Sequence, residues 1–283
     1  MYELLLKTST ALPMDIEEAI GEAAAREEPD SIARRTLDVI MQSKSLSCRN
    51  SLPVCQDTGA LLIIMKGRPD KSFLLIREAI LETLRSLTRE GLLRQNCVDP
   101  ITEKNTLDNT GRHVPQIHYE PDEGPTQIYA MLKGGGSENM STQYSLPLER
   151  MKAQRDMDGV RKCILDAVFQ AQGQGCAPGI LGVCIGGDRT SGYLLAKKQL
   201  FRSLHDRSPE PVLASLEQTV LEEANSLGIG PMGLGGKTTL LGVKIGPAGR
   251  HPACYFVTVS YSCWATRRYA VELTESGDIR RWI

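Results

Sequence analysis

Hydrophobic and polar positions along the chain follow two periods, one typical of amphipathic helices and one typical of buried strands. Helical spacing of apolar residues occurs at residues 15–25, 31–42, 71–93, 147–172, 190–203 and 211–227. Continuous apolar runs of strand length occur at residues 60–65, 126–132, 180–185, 240–245, 253–261 and 269–274, the last turning into residues 279–283. The pattern predicts a mixed α/β protein in which several helices pack on β-sheet.

Polar and glycine-rich loops separate these elements, notably at residues 43–58, 99–122 and 133–139. No linker rich in Pro, Gly and Ser and no internal repeat divides the chain, so we expect a single domain over residues 1–283. Binding and catalytic groups usually lie on loops that a rigid scaffold positions. We therefore expect these loops to converge on one site.

Charge and hydropathy exclude several classes of protein. The 283 residues include 33 Lys and Arg against 34 Asp and Glu, a formal charge of -1, so nothing attracts the chain generally to nucleic acid or anionic membrane. No apolar stretch approaches the roughly 20 residues that span a bilayer. The apolar residues 4–6 have no positive region before them, which is unlike a signal peptide. We expect a cytoplasmic protein that binds neither nucleic acid nor membrane.

Two glycine-rich patterns resemble nucleotide-binding motifs only in part. GIGPMG (residues 228–233) fits the dinucleotide pattern but follows a predicted helix, whereas that motif must follow a strand. GKT (residues 236–238) lacks the glycine of a P-loop, because Pro231 occupies its place. The simpler interpretation is a glycine-rich turn that leads into a strand.

The eight cysteines show no spacing typical of a zinc finger, since there is no C-x-x-C pair. We expect five of them to be small buried side chains: Cys48, Cys97, Cys163, Cys184 and Cys254. The other three, Cys55, Cys176 and Cys263, lie among polar or small residues of predicted loops. Thiolates that are distant in sequence can hold one iron–sulfur cluster, and a cube held by three thiolates keeps one iron open.

Six motifs stand in order between residues 50 and 268: PVCQDTG (53–59), NTLDNT (105–110), KGGGSEN (133–139), GCAP (175–178), GLGGKTT (233–239) and CWATRR (263–268). Together they resemble the class I, iron–sulfur fumarase family, and more narrowly the alpha subunit of its fumarate hydratase/L-tartrate dehydratase branch. The resemblance implies a [4Fe-4S] cluster with Cys55, Cys176 and Cys263 as its ligands. It also implies a beta subunit that completes the active site, and we expect a dimer of alpha–beta pairs.

The same resemblance implies a set of residues around a small dicarboxylate substrate. It implies that the substrate is bound by Gln56, Asp57, Arg94, Gly135 and His251. It further implies that Asp57 and His251 are catalytic. Arginine suits the role of a clamp because it grips a carboxylate bidentately, and glycine lets backbone N–H groups approach an anion. Without the resemblance, His251 would be interpreted as a hydrogen-bonded surface histidine.

The function most in keeping with these residues is reversible hydration of fumarate to malate. Dehydration of L-tartrate or a related 2-hydroxy dicarboxylate is the alternative, because Leu107 stands where the fumarase pattern usually has Gly, and residues 111–115 look like an insertion typical of tartrate dehydratases. Ala177 also replaces a frequent Pro. A different class, a non-catalytic cluster-binding or redox-sensing protein, is disfavoured because a bare cluster needs no dicarboxylate clamp.

Overall fold

The computed structural model describes residues 1–68 and 72–283. Its helices are α1 (Tyr2–Thr10), α2 (Met14–Arg26), α3 (Ile32–Asn50), α4 (Ser72–Arg89), α5 (Gly135–Asn139), α6 (Met157–Ala171), α7 (Arg189–Gln199) and α8 (Pro211–Ser226). Its strands are β1 (Ala60–Gly67), β2 (Gln116–Pro121), β3 (Gln127–Lys133), β4 (Thr142–Ser145), β5 (Gly179–Gly186), β6 (Leu240–Ala248), β7 (Phe256–Ser262), β8 (Arg267–Leu273) and β9 (Ile279–Trp282). The predicted mixed α/β class, with helices on β-sheet, is confirmed.

The contacts within the chain divide it into two compact units, each with its own sheet and core. The first unit comprises Met1–Pro13, Gln42–Gly135 and Ala265–Ile283. The second comprises Met14–Met41 and Gly136–Trp264. That residues 1–283 act as one domain stays a prediction.

The first unit is built on a five-stranded sheet in the order β2-β1-β3-β8-β9. Only β1 and β2 run parallel, and the other neighbours are antiparallel. Helix α1 packs against β3, β8 and α4. The core includes the fully buried side chains of Leu4, Ile63, Ile80, Ile128 and Val271. Burial of the β1 side chains from both sides explains why that strand is a continuous apolar run.

The second unit contains a four-stranded sheet in the order β4-β7-β5-β6, in which β5 and β6 are parallel. Helix α7 packs on β5 and β7, and α8 packs on β6. Every residue of β5 is buried. A side chain at Gly182 would overlap the Ala196 carbonyl, so the glycine permits the close approach of α7 to β5.

Several predicted boundaries were wrong, and each error has a local cause. The predicted loop at residues 43–58 begins too early, because α3 continues to Asn50. The predicted helix at residues 71–93 is α4, which ends at Arg89; Lys71 lies outside the described residues. The predicted helix at residues 15–25 is α2, which begins one residue earlier, at Met14.

Four elements were not predicted: α1, β2, α5 and β4. Strand β2 is an edge strand whose residues are only partly buried, so its polar sequence resembles a loop. Among the described residues, no helix is both long enough and apolar enough to cross a membrane.

Candidate active site

The PVCQDTG segment forms the loop that enters β1. The Val54 N–H donates to the Ser9 carbonyl at 3.0 Å, and the Gly59 N–H donates to Asp57 Oδ1 at 2.9 Å. Gly59 has φ +79, and a Cβ there would lie 2.6 Å from the Lys133 carbonyl oxygen. Only glycine therefore fits where the loop meets the end of β3.

Asp57 is held by two further segments of the first unit. The Gly135 N–H donates to Asp57 Oδ2 at 2.7 Å. The Arg267 Nη2 atom donates to the Asp57 carbonyl oxygen at 3.0 Å, and this arginine side chain is completely buried. The loop that carries Cys55, Gln56 and Asp57 is thereby joined to Gly135, the first residue of α5, and to the first residue of β8.

Arg94 lies in the segment that follows α4, and its backbone is tied to the same loop. Thr58 Oγ1 accepts the Arg94 N–H at 3.0 Å and an Asn96 side-chain N–H at 3.2 Å. The guanidinium of Arg94 and the amide of Gln56 are exposed, and neither side chain has a hydrogen bond or ion pair with residues 1–68 or 72–283. Both side chains are available to a ligand.

Cys176 and Cys263 belong to adjoining loops of the second unit. Cys176 has φ +55, its N–H donates to the Gly173 carbonyl at 3.0 Å, and its carbonyl accepts the Trp264 N–H at 3.3 Å. The ring of Tyr261 packs so closely that a side chain at Gly175 would overlap it. Burial raises the pKa of Tyr261, and the charges of the Cys263 and Cys176 sulfurs raise it further. One buried ring thus packs on the residue before Cys176 and lies two residues before Cys263.

His251, also in the second unit, lies in an exposed turn that follows β6. Its Nδ1 atom is assigned as the acceptor of the Ala253 N–H at 3.1 Å, which leaves Nε2 to carry the proton of the neutral ring. Within the described residues, the hydrogen bonds of His251 are to its neighbours in this turn, and its role toward substrate stays a prediction.

All eight cysteines are free thiols, and the expectation of burial holds for three of the five assigned to it. Cys97, Cys163 and Cys184 are buried, and burial raises the pKa of Cys163 to about 12 and that of Cys184 to about 11. Such thiols rarely form thiolates. The expectation was wrong for Cys48, which is exposed, and for Cys254, which is half-buried.

The donors that an iron–sulfur cluster requires are present. Cys55 and Cys176 are partly exposed on loops, Cys263 is buried two residues after Tyr261, and thiolates are the usual cluster ligands. In residues 1–68 and 72–283 no three His, Cys, Asp or Glu side chains are grouped to hold a single metal ion. A cluster instead spreads its thiolates over roughly 6–7 Å. The thiol chemistry fits a cluster, and the convergence of all three cysteines stays a prediction.

The GLGGKTT segment has a structural partner that occupies its backbone donors. Glu27 is buried, and its carboxylate accepts the N–H groups of Lys237 and Thr238 at 2.9 Å. A side chain at Gly236 would lie 2.7 Å from the Ala33 methyl group. The segment is a glycine-rich turn that leads into β6, which agrees with the simpler interpretation of its sequence.

Residues 1–272 match the family described as Fumarate hydratase (Fumerase). The chain belongs to the fumarate hydratase family. A Geobacillus stearothermophilus protein named "Putative fumarate hydratase class I" is 45% identical over all of the chain, which spans only 56% of that protein. A Methanocaldococcus jannaschii "Putative L(+)-tartrate dehydratase subunit alpha" is 37% identical over 95% of the chain and 94% of its own length. The Escherichia coli K12 "L(+)-tartrate dehydratase subunit alpha" is 30% identical over 92% and 85%.

Sequence reasoning did not assign three residues of this fumarate hydratase family chain that contact its predicted site segments, Thr58 and Arg267 in the first unit and Tyr261 in the second. Thr58 and Arg267 lie within quoted motifs, but their contacts join segments that are 36 and 210 residues apart. Tyr261 stands two residues before Cys263 in a strand pattern. Its position in a buried strand gave no sign of a special contact.

Proposed function

We propose that this chain is the alpha part of a [4Fe-4S] hydro-lyase that reversibly adds water to fumarate to give malate. The observation that supports it best is the bond between Asp57 and Gly135, beside an Arg94 backbone tied to Thr58. A carboxylate held at both oxygens and the backbone of an arginine with an available guanidinium thus belong to or contact the loop of Cys55, which supports the proposal. A redox or cluster-storage protein needs thiolates but no such pair, so the hydro-lyase is favoured.

Cys55, Cys176 and Cys263 would hold the cluster in this proposal. When bound, the cluster supplies a Lewis-acidic iron that polarises the substrate hydroxyl. The chain's own residues orient the substrate and handle the proton. Cys97, Cys163 and Cys184 remain in the interior as structural side chains.

Arg94 would bind one substrate carboxylate through a bidentate pair of hydrogen bonds. The exposed amide of Gln56 can donate a hydrogen bond to the other end of the substrate or accept one from its hydroxyl group. Asp57 would accept or return the hydroxyl proton, and its two backbone bonds hold the carboxylate in place meanwhile. Gly135 lets the substrate approach that carboxylate closely, because it has no side chain. His251 would present its Nε2–H to a substrate oxygen.

Dehydration of L-tartrate is the second candidate, because two relatives with that name match more than nine-tenths of the chain. Tartrate carries a second hydroxyl group, on the carbon that is a CH₂ group in malate. A site for tartrate therefore needs an additional hydrogen-bonding group, since an unpaired buried hydroxyl is costly.

We include a beta subunit in the proposal, since the names of these relatives specify a subunit alpha. The chain also spans about half of the Geobacillus protein, which leaves room there for a second part. The base that removes the carbon-bound proton would lie on that partner. The assembly would be a dimer of alpha–beta pairs in the cytoplasm.

The test is anaerobic reconstitution of the chain with iron and sulfide, together with its co-expressed beta chain. Fumarate hydration and L-tartrate dehydration are then measured on the same preparation. Cys176→Ser should lose the cluster absorbance, whereas Cys254→Ser, another partly exposed cysteine, should keep it. A wild-type complex that holds the cluster and turns over neither substrate would overturn the hydro-lyase.

A further inference from the structure

The NTLDNT motif, residues 105–110, has no role in the proposed chemistry, yet it contacts the segment that carries Arg94. Asn109 is buried, and its side chain forms three hydrogen bonds. Its Oδ1 atom accepts the Asn96 N–H at 2.7 Å, and its Nδ2 atom donates to the Arg94 carbonyl at 2.6 Å and to Thr88 Oγ1 at 3.0 Å. One amide thus holds the backbone on both sides of Gln95.

Asn105 binds another carbonyl of this segment. Its Nδ2 atom donates to the Gln95 carbonyl at 2.6 Å, and its Oδ1 atom accepts the Leu107 N–H at 2.7 Å. The Thr106 N–H donates to the Cys97 carbonyl at 2.9 Å. The motif therefore forms hydrogen bonds with the backbone of each residue from Arg94 to Cys97, in the segment that follows α4.

Arg94 is held mainly by the hydrogen bonds of its backbone. Its N–H is bonded to Thr58, its carbonyl to Asn109, and its exposed guanidinium has no partner in the described parts of the chain. An arginine side chain loses considerable rotamer freedom when it binds an anion. Its Cα–Cβ direction, set by the two neighbouring peptide planes, determines where the guanidinium can reach. Here those planes are set by Thr58 and Asn109.

We propose that Asn109, with Asn105, is a positioning residue that aims the Arg94 guanidinium at a substrate carboxylate. This inference rests on the proposed function, in which Arg94 is the carboxylate clamp. The geometry of Asn109 agrees with a specific requirement for asparagine. Its φ of +61 is one that Asn tolerates better than most residues, and no other short side chain both donates and accepts with this shape.

Asn109→Gly is the main test variant, because glycine keeps the positive φ while the three hydrogen bonds are lost. Asn225→Ala is the matched control in the second unit. Asn225 likewise forms three hydrogen bonds, all of them to backbone: it accepts from the Thr239 and Leu240 N–H groups at 2.7 and 2.9 Å and donates to the Leu240 carbonyl at 3.3 Å. Both variants lose an asparagine that fastens the backbone, but only Asn109 contacts the Arg94 segment.

In the reconstituted alpha–beta complex, we expect Asn109→Gly to raise KM for the dicarboxylate about 10-fold and to change kcat less than about 3-fold. Asn225→Ala should lower the thermal midpoint without a change in KM. Asn105→Ala, which removes one bond to the segment, should raise KM to a smaller extent. If Asn109→Gly does not fold, the KM of the milder variant Asn105→Ala still tests the inference.

The double variant with Arg94→Ala decides whether Asn109 acts through Arg94. If it does, Asn109→Gly should not raise KM further once the guanidinium is gone. Equal KM effects in the presence and absence of Arg94, or a lower thermal midpoint with normal KM, would overturn the inference.

Amide hydrogen exchange over residues 94–97 gives a readout that needs no turnover. Exchange there should be faster in Asn109→Gly and unchanged in Asn225→Ala, and unchanged exchange in both would contradict the positioning role. Inactivity of the wild type toward fumarate and tartrate would instead reject the proposed function, because the exchange experiment tests the Arg94 segment independently.

Discussion

Gly135 donates its backbone N–H to Asp57 Oδ2 at 2.7 Å, across a sequence separation of 78 residues. The Oδ1 atom of the same carboxylate accepts the Gly59 N–H at 2.9 Å. Both oxygens are therefore acceptors of backbone hydrogen bonds. An asparagine at this position would turn an NH₂ group toward one of the two N–H donors, so it cannot reproduce the native contacts.

Asp57→Asn should therefore lower both stability and turnover. We expect the turnover rate to fall about 10²–10⁴-fold, on the order of 3–5 kcal/mol of barrier, because the proton acceptor is removed. We also expect a lower thermal midpoint from the unpaired donor. Cluster absorbance should remain, since Asp57 is not a ligand. Asp122→Asn is a suitable control, because within residues 1–68 and 72–283 only one oxygen of Asp122 accepts a backbone N–H, from Gly124 at 2.7 Å. Near-normal turnover in Asp57→Asn would contradict the catalytic role.

Gly59 and Gly91 allow backbone strain to be separated from steric overlap. Their φ angles, +79 and +75, are nearly equal. A Cβ at Gly59 would lie within 2.9 Å of three backbone atoms of Lys133, whereas a Cβ at Gly91 would meet nothing within 4 Å. Gly91→Ala should cost about 1–2 kcal/mol of unfolding free energy, the cost of positive φ alone. Gly59→Ala should cost clearly more, measured by chemical denaturation, and equal losses would mean that the loop moves to make room.

Gly175 provides a test of the loop that carries Cys176. A side chain there would overlap the ring of Tyr261, which is 1% exposed and cannot move into solvent. Gly175→Ala should therefore displace the Cys176 loop and reduce the iron bound per chain after reconstitution. Gly249→Ala, where a new Cβ meets nothing within 4 Å, should bind iron normally. Full iron content in Gly175→Ala would show that this packing does not position the cluster ligand.

The strongly periodic elements could be predicted from sequence because burial alone determines them. Residues 60–65 and 180–185 are β1 and β5, whose side chains are almost all buried. Strand β2 could not be predicted, because its partly exposed edge position leaves no apolar pattern. The same limit applies to the site. Local motifs identify Cys55 and Asp57. The hydrogen bond from Arg267 to the Asp57 carbonyl depends on tertiary packing, which the spacing of residues along the sequence does not show.

Leu107 stands where the fumarase pattern usually has glycine, and its φ is +68. A bulky residue in this left-handed region is strained, and the Leu107 side chain is 61% exposed, so it gains little from packing. Leu107→Gly should raise the unfolding free energy by up to about 1 kcal/mol, the strain relieved less the backbone entropy that glycine loses. Thermal denaturation measures this change, with Leu227→Gly, at an exposed leucine of negative φ, as the control that should destabilise. A lower midpoint for Leu107→Gly would mean that the side chain makes a favourable contact.

The carboxyl group of Asp166, on α6, makes the stability of the chain depend on pH. Burial alone would raise the pKa of its carboxyl, but hydrogen bonds from Arg150 and Tyr144 lower the pKa below its usual value. A carboxyl with a lowered pKa in the folded chain stabilises it above the unfolded pKa of about 3.9, and that stabilisation is lost as pH falls through the folded pKa. Asp166→Asn should therefore cost about 1–3 kcal/mol at pH 7 and progressively less in acid. Denaturant unfolding of both proteins from pH 7 to pH 3 tests this, and a difference that does not shrink with falling pH would reject the charged carboxylate as its source.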